Sequence, residues 1–277
     1  MNITLLSNRD LASCVALNHL LPALAAYRVT VFLSSQVGKA SPHAAIEVRK
    51  PEALDTLKFF EQTLVNDIIF PLCDGDEANS GAMLTFKGLE RFLAAPIREL
   101  NAINTTGLPE FAATKPDLVL SIRYGVILRE EAISVPTHGV INLHSGRLPD
   151  YRGVMATFRA MLNGDKELNM TLHTIDDSGI DTGRIVAMTS FQVDQTKSYL
   201  WHVLGLYKDG CELLADTVNA IGRGEPIESL SQKTDANAGS YFTFPTQKEL
   251  DEFTARGFRL VDGDEIKQVV GQFYGQS

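Results

Sequence analysis

Val140-Ile141-Asn142-Leu143-His144-Ser145-Gly146-Arg147-Leu148-Pro149-Asp150-Tyr151-Arg152-Gly153 reads as a β-strand that breaks into a Gly/Pro-containing loop. Residues two apart in a strand point to the same face. Asn142 and His144 therefore project together from the strand's C-terminal end, where open α/β sheets place their ligand sites. A second stretch, His173-Thr174-Ile175-Asp176-Asp177-Ser178-Gly179-Ile180-Asp181-Thr182-Gly183, ends another strand in an acidic, glycine-punctuated loop. That loop can bring Asp181 to the same rim. An amide donor, an imidazole and a carboxylate grouped there suit acyl-group chemistry.

Outward from this core, strands alternate with helices. Ile3–Leu6 reads as a short buried strand, followed by a helix through Cys14, Leu17, Leu20, Leu21 and Leu24 that Pro22 ends or kinks. Arg28–Leu33 is a second strand, and Ser34–His43 a polar loop without a Gly-x-Gly-x-x-Gly dinucleotide fingerprint. Leu54, Leu57, Phe60, Leu64 and Ile68 predict a helix over 52–70. A helical patch spans 85–104, interrupted near Pro96; it reads as an insertion able to line the substrate side. Strands follow at Pro116–Ile122, Gly139–Leu143, Met170–Ile175 and Arg184–Met188, with helices over 154–163 and from Ser198 to Ile221. This alternation predicts an α/β fold with a Rossmann-like, mostly parallel sheet. The acidic turn Asp74–Gly81 lacks the ligand order of a calcium loop and reads as solvated.

From Gly222 the composition turns polar, which predicts a catalytic domain over 1–222 and a short C-terminal extension over 223–277. In the extension, Tyr241–Pro245 reads as an edge strand, and Thr246-Gln247-Lys248-Glu249 as a capping box opening a helix. The net charge of -9, with no basic block to offset it, argues against nucleic-acid binding. No apolar run approaches the ~20 residues that cross a bilayer, and the N-terminus lacks a signal-peptide pattern. Cys14, Cys73 and Cys211 are scattered, forming neither a disulfide framework nor a metal motif, so a reducing cytoplasm is expected.

The Asn142-Leu143-His144 strand end, the Leu148-Pro149-Asp150-Tyr151-Arg152-Gly153 loop and the Asp181-Thr182-Gly183 turn resemble the formyltransferase family that uses 10-formyltetrahydrofolate. Its members act on methionyl-tRNA, glycinamide ribonucleotide, sugar-nucleotide amines or hydroxyornithine. The resemblance covers roughly residues 115 to 190 and is loose before them. It implies a formyltransferase fold, with Arg123, Tyr124, Gly125, Val126, Ile127 and Leu128 wrapping the folate's pterin through backbone groups. The acidic loop, through Ile175, Asp176, Asp177, Gly179 and Ile180, is implied on the same cofactor side. Many relatives carry Ser two residues after the histidine, where this chain has Gly146 beside Ser145.

Formyl transfer needs a neutral amine to attack the formyl carbon, creating an oxyanion. Asn142 offers an amide N–H; its alternative is an ordinary hydrogen-bonded strand-end Asn. His144 can stabilise the oxyanion or relay a proton, and Asp181 can orient it and keep it charged. Ser145, Gly146, Arg147, Tyr151 and Arg152 follow the catalytic strand and are expected to meet the acceptor, where a guanidinium can clamp a carboxylate or phosphate. Reading His144, His173, Asp176, Asp177 and Asp181 as metal ligands fits no helical ligand pair, so no metal is expected and His173 is expected to pack in the sheet.

The expected reaction passes a formyl group to an amine or hydroxylamine of a small molecule, of sugar-nucleotide or ornithine type. The alternatives are a formyltetrahydrofolate hydrolase, a methionyl-tRNA formyltransferase and a non-catalytic folate-binding protein. Hydrolases of this kind usually carry a further N-terminal domain, whereas Met1 here stands almost on the first strand. The extension leaves too little chain for a tRNA-binding barrel, and its nine acidic against six basic residues suit RNA poorly. The partners expected are thus the small acceptor and a reduced folate, with no membrane. The pattern specifies no oligomeric state.

Overall fold

Strands buried on both faces, such as Ile3–Asn8, need helices above and below them. The computed structural model describes residues 1–35, 51–75, 81–227 and 239–274. β1 (Asn2–Asn8) leads into α1 (Leu11–Leu20), which Asp10 caps by accepting the Ser13 N–H at 2.7 Å. Pro22 cannot extend the helix, and a 3₁₀ turn over Leu21–Leu24 delivers the chain to β2 (Arg28–Ser34). Most of the loop read over Ser34–His43, and residues 76–80 of the acidic turn, lie outside the described residues.

α2 (Glu52–Lys58) continues with wider π-helical winding over Phe59–Ile69 and ends as α3 (Phe70–Gly75). The helical patch expected over 85–104 is much shorter. α4 (Phe86–Leu89) and a 3₁₀ turn at Glu90–Phe92 stop before Pro96, which has no N–H and keeps its predecessor extended. The chain then lays down the edge strand β3 (Arg98–Glu99). There follow α5 (Leu108–Ala112), β4 (Leu118–Ile122), α6 (Glu130–Ile133), β5 (Val140–His144), β6 (Tyr151–Gly153), α7 (Ala156–Asn163), β7 (Glu167–Thr174), β8 (Ile185–Gln192) and α8 (Tyr199–Gly222). β9 (Ser240–Phe242), α9 (Gln247–Ala255) and α10 (Gly263–Gly271) complete the order.

The main sheet runs β3-β2-β1-β4-β5-β7-β8, parallel through β5 and antiparallel at β7 and β8. Strand order reverses between β1 and β4, so their carboxyl ends flank a switch-point crevice. Leu5, Leu120, Ile122 and Leu143 join the larger core cluster with residues of α1 and α8; Leu6, Phe32 and Val119 join the smaller one with Phe111 and Ala132. Leu250, Phe253, Phe258 and Ile266 enter the larger cluster, and the Phe158 and Phe253 rings lie 4.6 Å apart. The extension is therefore packed onto the sheet layer. Its strand β9 pairs not with the main sheet but in parallel with β6, in the loop after β5. No helix among the described residues is long and apolar enough to cross a membrane.

Candidate active site

Antiparallel pairing sets Asn142 on β5 opposite His173 on β7. His173 Nδ1 lies 2.8 Å from the Thr174 carbonyl, which only accepts, so Nδ1 carries a proton. Nε2 then faces the Asn142 amide nitrogen at 3.0 Å. An N–H of that amide stays available to an oxygen at the strand end. His144, two residues on, donates Nε2–H to the Tyr151 carbonyl at 2.8 Å, which turns Nδ1 toward Asp181.

Asp181 joins both imidazoles. Its Oδ2 is 3.6 Å from His144 Nδ1, its Oδ1 is 3.4 Å from His173 Nε2, and Oδ2 accepts the Gly153 N–H at 2.8 Å. Burial opposes ionisation of this carboxyl, yet His144, His173 and the Gly153 N–H together hold it well below the usual carboxylate range. The backbone is strained to make this meeting. Arg123, Met155 and Asp181 have φ of 59, 54 and 53°, and only Lys115 shares this among the described non-glycine residues. Each such residue costs on the order of 1–3 kcal/mol, and such strain concentrates at functional sites.

Gly146 has a steric reason. A Cβ there would stand 2.4 Å from the Ala156 Cβ and 2.8 Å from His144 Nε2. A serine at this position would collide with α7 and the imidazole.

The remaining residues named from the sequence divide by what they touch. Arg147 pairs with Asp150 at 2.7 Å and Asp165 at 3.2 Å, and the Tyr151 hydroxyl donates to Asp165 at 2.9 Å. Arg147 is thus already committed to two carboxylates within the protein. The Ser145 carbonyl accepts the Thr157 hydroxyl, and Arg152 stands on β6 opposite Tyr241. Tyr124, Val126, Leu128 and Ile175 all pack in the smaller core cluster, which puts the two segments expected to hold the folate side by side. Gly125 donates its N–H to Ser34 Oγ at 3.0 Å, and Ile127 is exposed. Asp176 pairs with Arg184, while Asp177 accepts the Gly179 N–H, so these carboxylates shape the loop that leads through Ile180 to Asp181. Among the described residues no group of three His, Cys, Asp or Glu is arranged to hold a metal ion.

Arg123 behaves differently from its neighbours. Its left-handed backbone sends the side chain into the crevice between β1 and β4, with Nε 3.0 Å from Asp10 and a terminal nitrogen 3.1 Å from Glu61. Asn8 donates to the same Asp10 carboxylate at 3.0 Å. Two carboxylates around one guanidinium leave a surplus negative charge. Burial accordingly pushes the Glu61 carboxyl up to about 7, Arg123 pulling it down and Asp10 adding to the rise. Sequence reasoning missed both this cluster and the partnership of His173 with Asn142. The ladder register, which sets His173 across from Asn142, is the signal that finds the second.

Comparison with known proteins now has a geometry to rest on. A family model described as formyl transferase matches residues 84–200. The methionyl-tRNA formyltransferase of Kosmotoga olearia is 29% identical over 140 residues, 50% of this chain and 45% of that protein. The chain thus spans less than half the length of this curated relative. Among solved structures, a sugar N-formyltransferase from Shewanella sp. FDAARGOS_354 superposes with a TM-score of 0.54 at 13% identity, covering 92% of this chain and 87% of that one. An N-formyltransferase from Helicobacter canadensis gives 0.53 at 15% identity, with 99% and 81% covered. At such identities the likeness is one of fold. The family match encloses Asn142, His144 and Asp181, so over residues 84–200 this chain is similar to the formyl transferase family.

Proposed function

We propose that the protein moves a formyl group from 10-formyltetrahydrofolate to the amine or hydroxylamine of a small molecule, of sugar-nucleotide or ornithine type. The grouping of Asn142, His144 and Asp181 at one strand end carries the reading. The neutral acceptor nitrogen attacks the formyl carbon, and a new N–C bond forms as the carbonyl oxygen becomes an oxyanion. The free amide N–H of Asn142 stabilises that oxygen, and His144 joins it by turning its Nε2–H away from the Tyr151 carbonyl, each donor contributing roughly 3–4 kcal/mol. Asp181 orients His144 and takes the surplus proton of the acceptor through water. Collapse breaks the bond from the formyl carbon to the folate's N10, and the proton ends there. The products are a formamide and tetrahydrofolate.

The groove between residues 123–128 and 175–180 would take the folate, with residues 223–277 serving as an extension to a catalytic domain over 1–222. The choice of ligands draws on the Helicobacter canadensis enzyme, solved with folinic acid and dTDP-3-aminofucose. The absence of a disulfide among the three buried cysteines suits work in the cytoplasm.

The methionyl-tRNA relatives favour one other reading, transfer to charged initiator tRNA. The acidic balance of residues 223–277 weighs against it. The test is incubation with 10-formyltetrahydrofolate alone, then with amino sugars, hydroxylamine or charged initiator tRNA. Tetrahydrofolate that appears only with a small amine supports the proposal. Formate released without acceptor identifies a hydrolase, and efficient tRNA formylation at physiological salt restores the translation role.

A further inference from the structure

We infer that Tyr241 is an acceptor-binding residue, carried to the catalytic rim by the C-terminal extension, and that the acceptor's amine sits on a saturated, hydroxylated ring rather than an open chain. The inference rests on the formyl-transfer reading above and adds to it a residue outside the matched stretch 84–200.

The position follows from the β6–β9 pair. Arg152 stands opposite Tyr241 and Gly153 opposite Phe242, and the Val154 N–H donates to the Phe242 carbonyl at 2.9 Å. Phe242 faces inward, its ring 6.1 Å from Tyr151 and 5.0 Å beneath the Arg159 guanidinium. Neighbouring strand residues alternate, so Tyr241 faces the other way, and it is 50% exposed. Its ring lies against Gly153, where an added Cβ would come within 2.8 Å of Tyr241 Cε2. The N–H of that same Gly153 holds Asp181. One residue therefore separates the phenol from the catalytic carboxylate.

Beyond β9 the arm is anchored to α7. Arg159, buried, donates to the Thr243 carbonyl at 3.0 Å and pairs with Glu249, which closes the capping box with Thr246. A half-exposed aromatic ring beside reacting groups, with only two side-chain torsions, offers a large contact area at little cost in side-chain entropy. The flat face of the phenol fits the C–H face of a saturated ring, whereas an open-chain amine would bury little surface against it. The backbone of the loop around it provides polar groups suited to ring hydroxyls.

The test uses 10-formyltetrahydrofolate with acceptors that differ in having a ring: free hydroxylamine on one side, D-glucosamine and dTDP-3-aminofucose on the other. In wild-type protein at least one ring amine should show a KM far below that of hydroxylamine. Tyr241→Ala should raise the ring amine's KM about tenfold or more while changing hydroxylamine turnover and folate KM less than twofold. Tyr241→Phe, which keeps the ring, should restore the low KM. An unchanged ring-amine KM in Tyr241→Ala overturns the inference. So does an equal loss for both acceptor types, which would mean that Tyr241 acts only by supporting Gly153 and Asp181. Wild-type protein that uses hydroxylamine but neither ring amine refutes the acceptor class. Transfer to no acceptor defeats the formyl-transfer reading itself, and the inference with it.

Discussion

Asp181 lies between two imidazoles, whereas Arg123 lies between two carboxylates, and both reach their partners through left-handed backbone at the carboxyl edge of the sheet. The charge balance separates their uses. Around Asp181, the neighbours are imidazoles, groups that can both give and take a proton. Around Arg123, the cation is permanent and the neighbours are acids, one of which keeps its proton up to about 7 because the site cannot hold a second uncompensated charge. The first cluster is the one on which the proposed chemistry rests. The second ties β1, β4 and the π-helical segment together.

Removing each centre should expose that division. Arg123→Met leaves two buried carboxylates without a counter-ion and should lower unfolding free energy by about 3–5 kcal/mol, read from the urea midpoint. A loss under a third of that would make this cluster a surface pair in energetic terms. At the other cluster, His144→Ala and Asp181→Ala should each reduce kcat by about a hundredfold or more, roughly 2.7 kcal/mol of barrier. The melting temperature of His144→Ala should move little by comparison, whereas Asp181→Ala also gives up the stability its depressed carboxyl carries at neutral pH. A stable variant with near-normal turnover would remove the residue from the proposed chemistry.

The smaller effects sharpen the contrast. His173→Leu takes away the ring nitrogen that Asn142 faces and should lower kcat about tenfold with the folate KM unchanged. A rise in KM alone would show that His173 shapes binding instead. The two carboxyls should also bend stability with pH in opposite directions. Glu61 is raised in the fold, so its contribution is complete below about 4.5 and is lost as pH climbs through about 7. Glu61→Gln should flatten that decline. Asp181 is depressed, so its contribution is present above the ordinary carboxylate range and lost as acid drives the pH down through its folded value. Asp181→Asn should change only the acid limb. Denaturant titrations across pH decide both.

What the sequence revealed depended on the range of the interaction that sets each feature. Asn142 and His144 were legible because a strand has a two-residue period, and Asp181 because its glycine-flanked turn is local. His173 carries no spacing signature; its role comes from the antiparallel register of β5 with β7. Arg123 fell within a segment read for its backbone, and the single positive φ that turns its side chain toward Asp10 leaves no trace in composition. Near Pro96 the apolar pattern suggested a longer helix than the backbone allows. Tyr241 was readable as part of a strand, but its partner β6 lies far away in the chain.

The pairing of β6 with β9 also governs how the molecule breathes. Each strand has three residues, and a two-stranded ribbon alone is marginal in water. Opening it should need less free energy than opening the seven-stranded sheet. In deuterated solvent, the amides of Val154 and Ser240, bonded to Phe242 and Asp150 across the ribbon, should exchange earlier than those of β5. Each opening would loosen the Gly153 grip on Asp181, so how often the proposed centre stands complete would be set by three residues of ladder rather than by the stability of the whole fold.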